Sequence, residues 1–469
     1  MSMLAAPSAR SSEKTWLDRA LSPFTDIRPG EGLTAVLLSL NGLLILAAYY
    51  AIRPVRSALL LPVHVELPGG KILNGTVLTS YSGAVLAALF LFIVPLYGLI
   101  ASKVNRIRLI NGVTLFFVSN LVVFFLLREA APRALLGIAF FLWVGVFNLM
   151  VLAQFWSFAN DIYTAEEGKR LFAIVGFGGS VGAMAGSVMA ASLIKRLGEP
   201  PMMLIAAALL LACLVLTNLV HVRERDRAQD GSNRVKAEQP LKRGGGFQLV
   251  LGNRYLLLIG LMTLAVQLVN TNGNTIFNAT LSEMARAATN AGTNGGLSEG
   301  QIIGSYMAGT DFWQNLLVVL IQLLLVSRIF KYLGVGGALF ILPTIALGSY
   351  GLFAIAPVLA LIRVAKVTEN ATDYSLQNTL RRALFLPTSR EAKYKALNAV
   401  ETFFWRSGDM LSAVATFVVL DRLSLGVRSF AALNLGIVVV WIVIAIGLSR
   451  ENRRLMATAP AAATATATV

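Results

Sequence analysis

The chain has 469 residues, of which 56% are hydrophobic and 14% charged, with a formal net charge of +16 and one cysteine. Soluble globular chains carry about a quarter charged residues, so this composition excludes an ordinary cytosolic enzyme and points to a polytopic α-helical membrane protein. Cys213 alone makes no disulfide frame, and the scattered pair His64 and His221 makes no metal motif, so no metal and no cofactor are expected.

Residues 1–31 are polar, lack the apolar stretch of a cleavable signal peptide, and read as a cytoplasmic N-terminal segment. Apolar runs then predict twelve transmembrane helices, roughly over 32–61, 80–100, 107–127, 135–158, 171–194, 202–222, 255–282, 302–326, 335–354, 357–380, 394–420 and 429–449. They fall into a six-helix half over 32–222 and a second over 255–449, joined by a flexible cytoplasmic linker over 223–254. A cytoplasmic tail over 450–469 ends in low-complexity Ala/Thr and is expected to be disordered. Of the 40 Lys and Arg residues, 27 fall in the alternate connections that include both termini and the linker, against 8 in the others. The positive-inside rule therefore puts both termini in the cytoplasm and explains the basicity as topology, with no nucleic-acid partner.

The halves show weak internal similarity. Thr164-Ala-Glu-Glu167-Gly-Lys169 recurs as Thr388-Ser-Arg-Glu391-Ala-Lys393, and Ser102-Lys103 as Ser327-Arg328, at nearly the same offset and in matching connections. This predicts two parallel six-helix repeats, the major facilitator architecture.

The chemistry-bearing positions begin in the first helix. Arg53 and Arg56 share a face at i and i+3, with Pro54 between them expected to kink the helix. A guanidinium in hydrocarbon costs roughly 2.5 to 3.5 kcal/mol at a helix centre, so the pair implies a wet cavity or a bound anion unless both snorkel to the interface. The fourth helix offers Asn148, Gln154, Trp156 and Asn160 for hydrogen bonding and stacking on a planar ring. In the fifth, Gly176, Gly178, Gly179, Gly182 and Gly186 read as a close-packing face; no strand precedes them to make a phosphate-cradling loop. The seventh carries Asn270, Asn272, Asn274 and Asn278, read as a broken, amide-rich stretch opposite Arg53. Asp311 and Gln314 share a face of the eighth helix. A polar stripe in the tenth runs through Arg363, Lys366, Asn370, Asp373, Tyr374, Gln377 and Arg381. In the eleventh, Arg406 has Glu401 and Asp409 as candidate partners.

These residues carry a family resemblance. Tyr49-Tyr50-Ala-Ile-Arg53-Pro54-Val-Arg56, Phe155-Trp156-Ser-Phe-Ala-Asn160-Asp161, Glu167-Gly-Lys169-Arg170-Leu-Phe, Lys393-Tyr-Lys395-Ala and Arg406-Ser-Gly408-Asp409 are similar to blocks of the ATP:ADP antiporter (nucleotide translocase) family, in its broad bacterial branch. The resemblance covers about residues 32–450 and implies a twelve-helix major facilitator fold that exchanges nucleotides. It implies that Arg53, Arg56 and Arg406 hold phosphates. The chain departs from the family's acids at Ser57 and near Val144, so the resemblance favours an organic-phosphate or nucleotide-like anion over ATP/ADP itself.

The expected function is therefore alternating-access transport of a phosphorylated, nucleotide-like anion, in the form of nucleotide exchange. The expected substrate-binding set is Arg53, Arg56, Asn148, Gln154, Trp156, Asn160, Asn274, Asn278, Asp311, Gln314, Lys366, Asp373, Gln377 and Arg406. Gating or ion-pair roles fall to Lys103, Asp161, Lys169, Arg381, Glu401 and Asp409. The protein is expected to work as a monomer in a bacterial inner membrane. Proton-coupled transport of another solute, with Asp311, Asp373 or Asp409 titrating, is the alternative, and a non-transporting membrane scaffold is the alternative of another class. No nucleophile–base pair suggests an enzyme.

Overall fold

The computed structural model describes residues 14–22, 26–68, 70–101, 104–163, 165–228, 246–389 and 392–465. The short helix α1 (Trp16–Leu21) is capped by Thr15 and Asp18 and leads into α2 (Glu31–Leu60). The buried Asp18 carboxylate accepts hydrogen bonds from the backbone N–H of Gly30 (3.0 Å) and Gly32 (2.8 Å), donors that the start of α2 leaves without helical partners. Gly30 turns the chain there at φ 82°, a left-handed conformation that glycine adopts without strain.

α2 runs unbroken through Pro54, contrary to the expected kink. An antiparallel hairpin, β1 (His64–Glu66) and β2 (Ile72–Asn74), comes next and pairs His64 with Asn74. Then come α3 (Gly75–Ala101), α4 (Arg106–Leu127), α5 (Arg133–Ile162), α6 (Ala165–Leu197) and α7 (Pro201–Ala228). The second part holds α8 (Gly246–Gly252), α9 (Arg254–Asn290), α10 (Glu299–Leu324), α11 (Val326–Ala338), α12 (Ile341–Ile355), α13 (Leu359–Thr372), α14 (Asn378–Leu384), α15 (Leu397–Ala399), α16 (Trp405–Thr416) and α17 (Val427–Ala465). π turns interrupt this part at Asp373–Gln377, Ala392–Ala396, Val400–Phe404 and Phe417–Arg422.

Among the described residues, ten helices are long and apolar enough to cross a bilayer. α11 and α12, bent by 73° at their junction, bring the count to eleven when taken as one span. The expected tenth helix does not pass the same test, because a π turn divides it and its face is polar. The chain is thus an integral membrane protein whose helices satisfy their backbone donors internally, as hydrocarbon requires. α17 continues to Ala465, through much of the tail expected to be disordered, in keeping with the high helix propensity of alanine. Most of the 223–254 linker lies outside the described residues.

The apolar cores divide along the chain. One gathers residues between Ile27 and Val220 with Ala308, and the other gathers Leu61 with residues between Val250 and Leu448. In the first, Gly178, Gly182 and Gly186 of α6 press against α2. A Cβ at any of them collides with the backbone of Ser39, Leu43 or Ala47 respectively. This is the close packing that the glycine spacing suggested. Trp143 stacks on Phe147 (centroids 5.4 Å apart, 5° between planes) and on Phe140 (5.7 Å).

The polar contacts described between the two groups lie at mid-height or toward the end where α2 stops and α3 starts. There Lys71 on the hairpin pairs with Asp421 (2.8 Å), Tyr81 donates to the same carboxylate (2.9 Å), and His64 meets Arg286. Ser80 bridges Thr275 and Thr416 (3.2 and 3.3 Å), and Gln301 donates to the Ile194 carbonyl (3.2 Å).

Candidate functional site

A cavity of about 620 Å³ lies between the two helix groups, lined by α2, α3, α5 and α6 on one side and α9, α10, α13 and α16 on the other. Of the residues expected to bind substrate, Arg53, Arg56, Asn148, Trp156, Asn274, Asn278, Asp311, Gln314, Lys366 and Arg406 line it.

The two arginines of α2 face this space in different states. Arg53 spans the cavity to Asp311 of α10 (Nη1–Oδ1 3.0 Å) and lies 5.5 Å from the Tyr50 ring centroid. Arg56 has its guanidinium 4.4 Å from the centroid of Phe141, and its buried Nε has no hydrogen-bond partner. No acid among the described residues pairs with it. A cation over a ring gains about 0.5 to 2 kcal/mol.

The other two cations that line the cavity, Arg406 and Lys366, are compensated. Arg406 pairs with Asp409 (3.4 Å), choosing it over the exposed Glu401, and sits over Phe90 (4.3 Å). Asp409 also accepts from Gln267 (2.6 Å) and Thr271 (2.9 Å), which makes it part of the cavity wall. Lys366 is 1% exposed and fully engaged: Nζ reaches Glu369 (3.1 Å) and donates to Asn270 Oδ1 (2.9 Å), while Tyr350 donates to Glu369 (3.0 Å).

Four expected ligands do not line the cavity. Gln154 is buried on another face of α5 and borders a separate cavity of about 20 Å³ near Asn41 and Cys213. Asn160 is exposed, one turn past Trp156 near the end of α5. Asp373 and Gln377 are buried elsewhere, and Gln377 donates to the Met262 sulfur (3.8 Å). The polar stripe was drawn with a 3.6-residue period. Lys366, Asn370 and Tyr374 reach the cavity and Asp373 does not; the π turn at Asp373–Gln377 adds a residue and rotates Gln377, at its end, off the expected face.

The expected break in the seventh helix is also absent: α9 is continuous through its asparagines. Asn270 engages Lys366, Asn272 donates to Asn434 (3.1 Å) and accepts from Ser412 (2.7 Å), and Asn274 and Asn278 line the cavity. Of the expected gates, Asp161 pairs with Arg106 inside the first group, and Arg381 stacks on Trp405 (4.4 Å). Lys103 lies outside the described residues, and the Lys169 side chain is not described.

Sequence reasoning passed over Gln267, Thr271, Asn315, Thr79 and Ser80, all in the cavity wall. Single hydroxyls and amides in apolar helices carry little signal, although Gln267 and Thr271 at i and i+4 form a short polar face.

A bundle of long apolar helices around a central polar cavity defines the class: an all-α polytopic membrane protein of the major facilitator fold. Solved structures share this fold at low identity. The nucleoside transporter NupG aligns with TM-score 0.61 and 13% identity over 89% of this chain and 97% of that one. A bacterial homologue of the iron transporter ferroportin in the inward-facing state aligns with TM-score 0.61 and 14% identity, over 89% and 98%.

Within that class the chain resembles the ATP:ADP antiporter family. Residues 134–284 match the family model described as TLC ATP/ADP transporter. ADP,ATP carrier protein 1 of Chlamydia muridarum is 22% identical over 346 residues, covering 65% of this chain and 62% of the relative. The protein of the same name from Chlamydia pneumoniae is 22% identical over 347 residues, covering 65% and 64%. The aligned part therefore spans less than two thirds of the length of these relatives.

Proposed function

We propose that this protein is an alternating-access transporter that exchanges phosphorylated, nucleotide-like anions across a membrane. The observation that carries this reading is Arg56, a cavity guanidinium with no acidic partner among the described residues, beside an Arg53 paired with Asp311. Paired guanidinium groups grip phosphate oxygens bidentately, and anion binding offsets the cost of closing a low-dielectric cavity around an unpaired cation. That cost makes the empty carrier reluctant to reorient, which favours exchange over net flux. The family resemblance and the cavity's amide-rich wall support a nucleotide-like cargo.

The charge distribution of the connections supports cytoplasmic termini and a bacterial inner membrane. With that orientation, the hairpin and its contacts to Arg286 and Asp421 form the outer closure. A cavity contained in one chain supports function as a monomer.

In proteoliposomes preloaded with ADP, Arg56→Ala is expected to lose at least 90% of ATP counterflow while keeping its helical content and monodispersity. Full counterflow in that variant rules out the anchor role.

Proton coupling is a second reading, favoured by Asp373. Both its carboxylate oxygens are buried without hydrogen-bond partners, an arrangement suited to a neutral carboxyl. Uptake driven by an imposed pH gradient in the absence of counter-substrate separates it from exchange.

A further inference from the structure

Three amides of the cavity wall stand apart from the charged groups. Gln314 and Asn315 on α10 and Asn370 on α13 all line the cavity and are 1%, 8% and 8% exposed. Asn370 Nδ2 donates to Gln314 Oε1 (2.9 Å). Three of their polar atoms are unused: Gln314 Nε2, Asn370 Oδ1 and Asn315 Nδ2 are buried with no hydrogen-bond partner among the described residues. If both members of the Gln314–Asn370 pair were rotated, the same donor-plus-acceptor set would remain, so the chemistry does not depend on which way the amides are drawn.

The placement is specific. Gln314 follows Asp311 by three residues and so lies on the same face of α10, about one helical turn (~5 Å) from the carboxylate that holds Arg53. Val318, a further turn along that face, and Met307 are apolar parts of the same wall. A planar ligand with a polar edge suits this arrangement. A sugar, with hydroxyls all round its ring, suits it poorly, and phosphate offers acceptors only.

We propose that Gln314 and Asn370, with Asn315 beside them, form a subsite for a nucleobase, reading an edge that presents a donor next to an acceptor while the arginines of α2 hold the phosphates. Every nucleobase has such an edge, and Asn and Gln read it with paired hydrogen bonds in other recognition sites. This inference rests on the proposed anion-carrier reading and assigns the base to α10 and α13, away from the α5 amides that the sequence favoured.

The test measures inhibition of ATP counterflow, and of ATP binding to purified protein, by ATP, ribose 5-phosphate and inorganic tripolyphosphate. The wild type is expected to prefer ATP over tripolyphosphate at least tenfold. Gln314→Leu and Asn370→Leu are each expected to weaken ATP at least tenfold, toward the tripolyphosphate value, while leaving tripolyphosphate binding within twofold. Retained tripolyphosphate binding shows that the variant is folded. The milder Gln314→Asn and Asn370→Ser take the place of a leucine variant that fails to fold, with the same selective loss of ATP expected. Equal wild-type affinity for ATP and tripolyphosphate, or equal weakening of both in the variants, overturns the base subsite and leaves the anion site standing. A wild type that binds neither overturns the anion-carrier reading itself.

Discussion

α2 meets α6 through backbone: Gly178, Gly182 and Gly186 leave no room for a Cβ. α9 meets α13 and α17 through side chains, and α16 both through side chains and at Gly408, where an added Cβ comes within 3.0 Å of the Leu264 carbonyl. Lys366, Glu369, Tyr350 and Asn270 form one network, and Asn272, Asn434 and Ser412 another, with Asn434 also donating to the Val269 carbonyl (3.1 Å). The contrast teaches where each group tolerates change. A backbone-to-backbone contact has one good geometry and is intolerant of any added atom. A polar network can exchange partners within itself, but it penalises the loss of one member by leaving a buried charge unpaired. The described π turns all lie in the second group, where the helices are locally wound out of register.

The largest expected effect comes from breaking the polar side of this contrast. Lys366→Met leaves Glu369 buried without its cation and is expected to cost about 3 to 5 kcal/mol, read by thermal or denaturant unfolding in detergent. Adding Glu369→Gln to the same chain should recover a good part of that loss. If the double variant is no more stable than the single, the network is not what holds α13 to α9.

Gly182→Val tests the other side. Overpacking costs roughly 1 to 3 kcal/mol where neighbours can adjust, and the neighbour here is backbone. The variant is expected to separate α2 from α6, widen the cavity and lower the unfolding temperature. Gly176→Val, at a position where an added Cβ meets nothing within 4 Å, should be near neutral and serves as the control.

The smallest expected effect lies at the N-terminal latch. Burial raises the pKa of Asp18, but hydrogen bonds from Gly30, Thr15 and Gly32 outweigh it and bring the carboxyl from 3.8 down to about 2. A depressed carboxyl stabilises the fold above its unfolded value and loses that contribution as pH falls through its folded value. The latch should therefore weaken between about pH 4 and pH 2. Asp18→Asn is expected to cost about 0.5 to 2 kcal/mol at neutral pH, as for a lost helix cap, and to flatten that acid limb in a pH series of unfolding temperatures.

The site was partly legible. Arg53 and Arg56 stood out because a guanidinium in an apolar run needs a reason, and both line the cavity. Arg406 and Asp311 were found on the same ground. Gln377 misled because a 3.6-residue period was carried across a π turn that no residue type announces. Gln154 misled because an amide in an apolar helix is equally at home against a neighbouring helix. The asparagines of α9 suggested a break, yet partners on α13, α16 and α17 satisfy two of them within an intact helix.

The sequence by itself determined that the chain spans a membrane many times, which faces must avoid lipid, and that cations sit where hydrocarbon would reject them. Those features arise from transfer free energies, which belong to each residue. Only the tertiary structure decided that Asp311 neutralises Arg53 and that Arg56 meets no described acid, whereas the Arg406–Asp409 and Lys366–Glu369 pairs have a spacing that a helix already brings together. Arg53–Asp311 joins helices more than 250 residues apart in sequence, whereas the other two pairs are three residues apart on one segment. Pairing depends on distances of a few ångströms between side chains; helix geometry sets them for the local pairs, and helix packing sets them for Arg53 and Asp311.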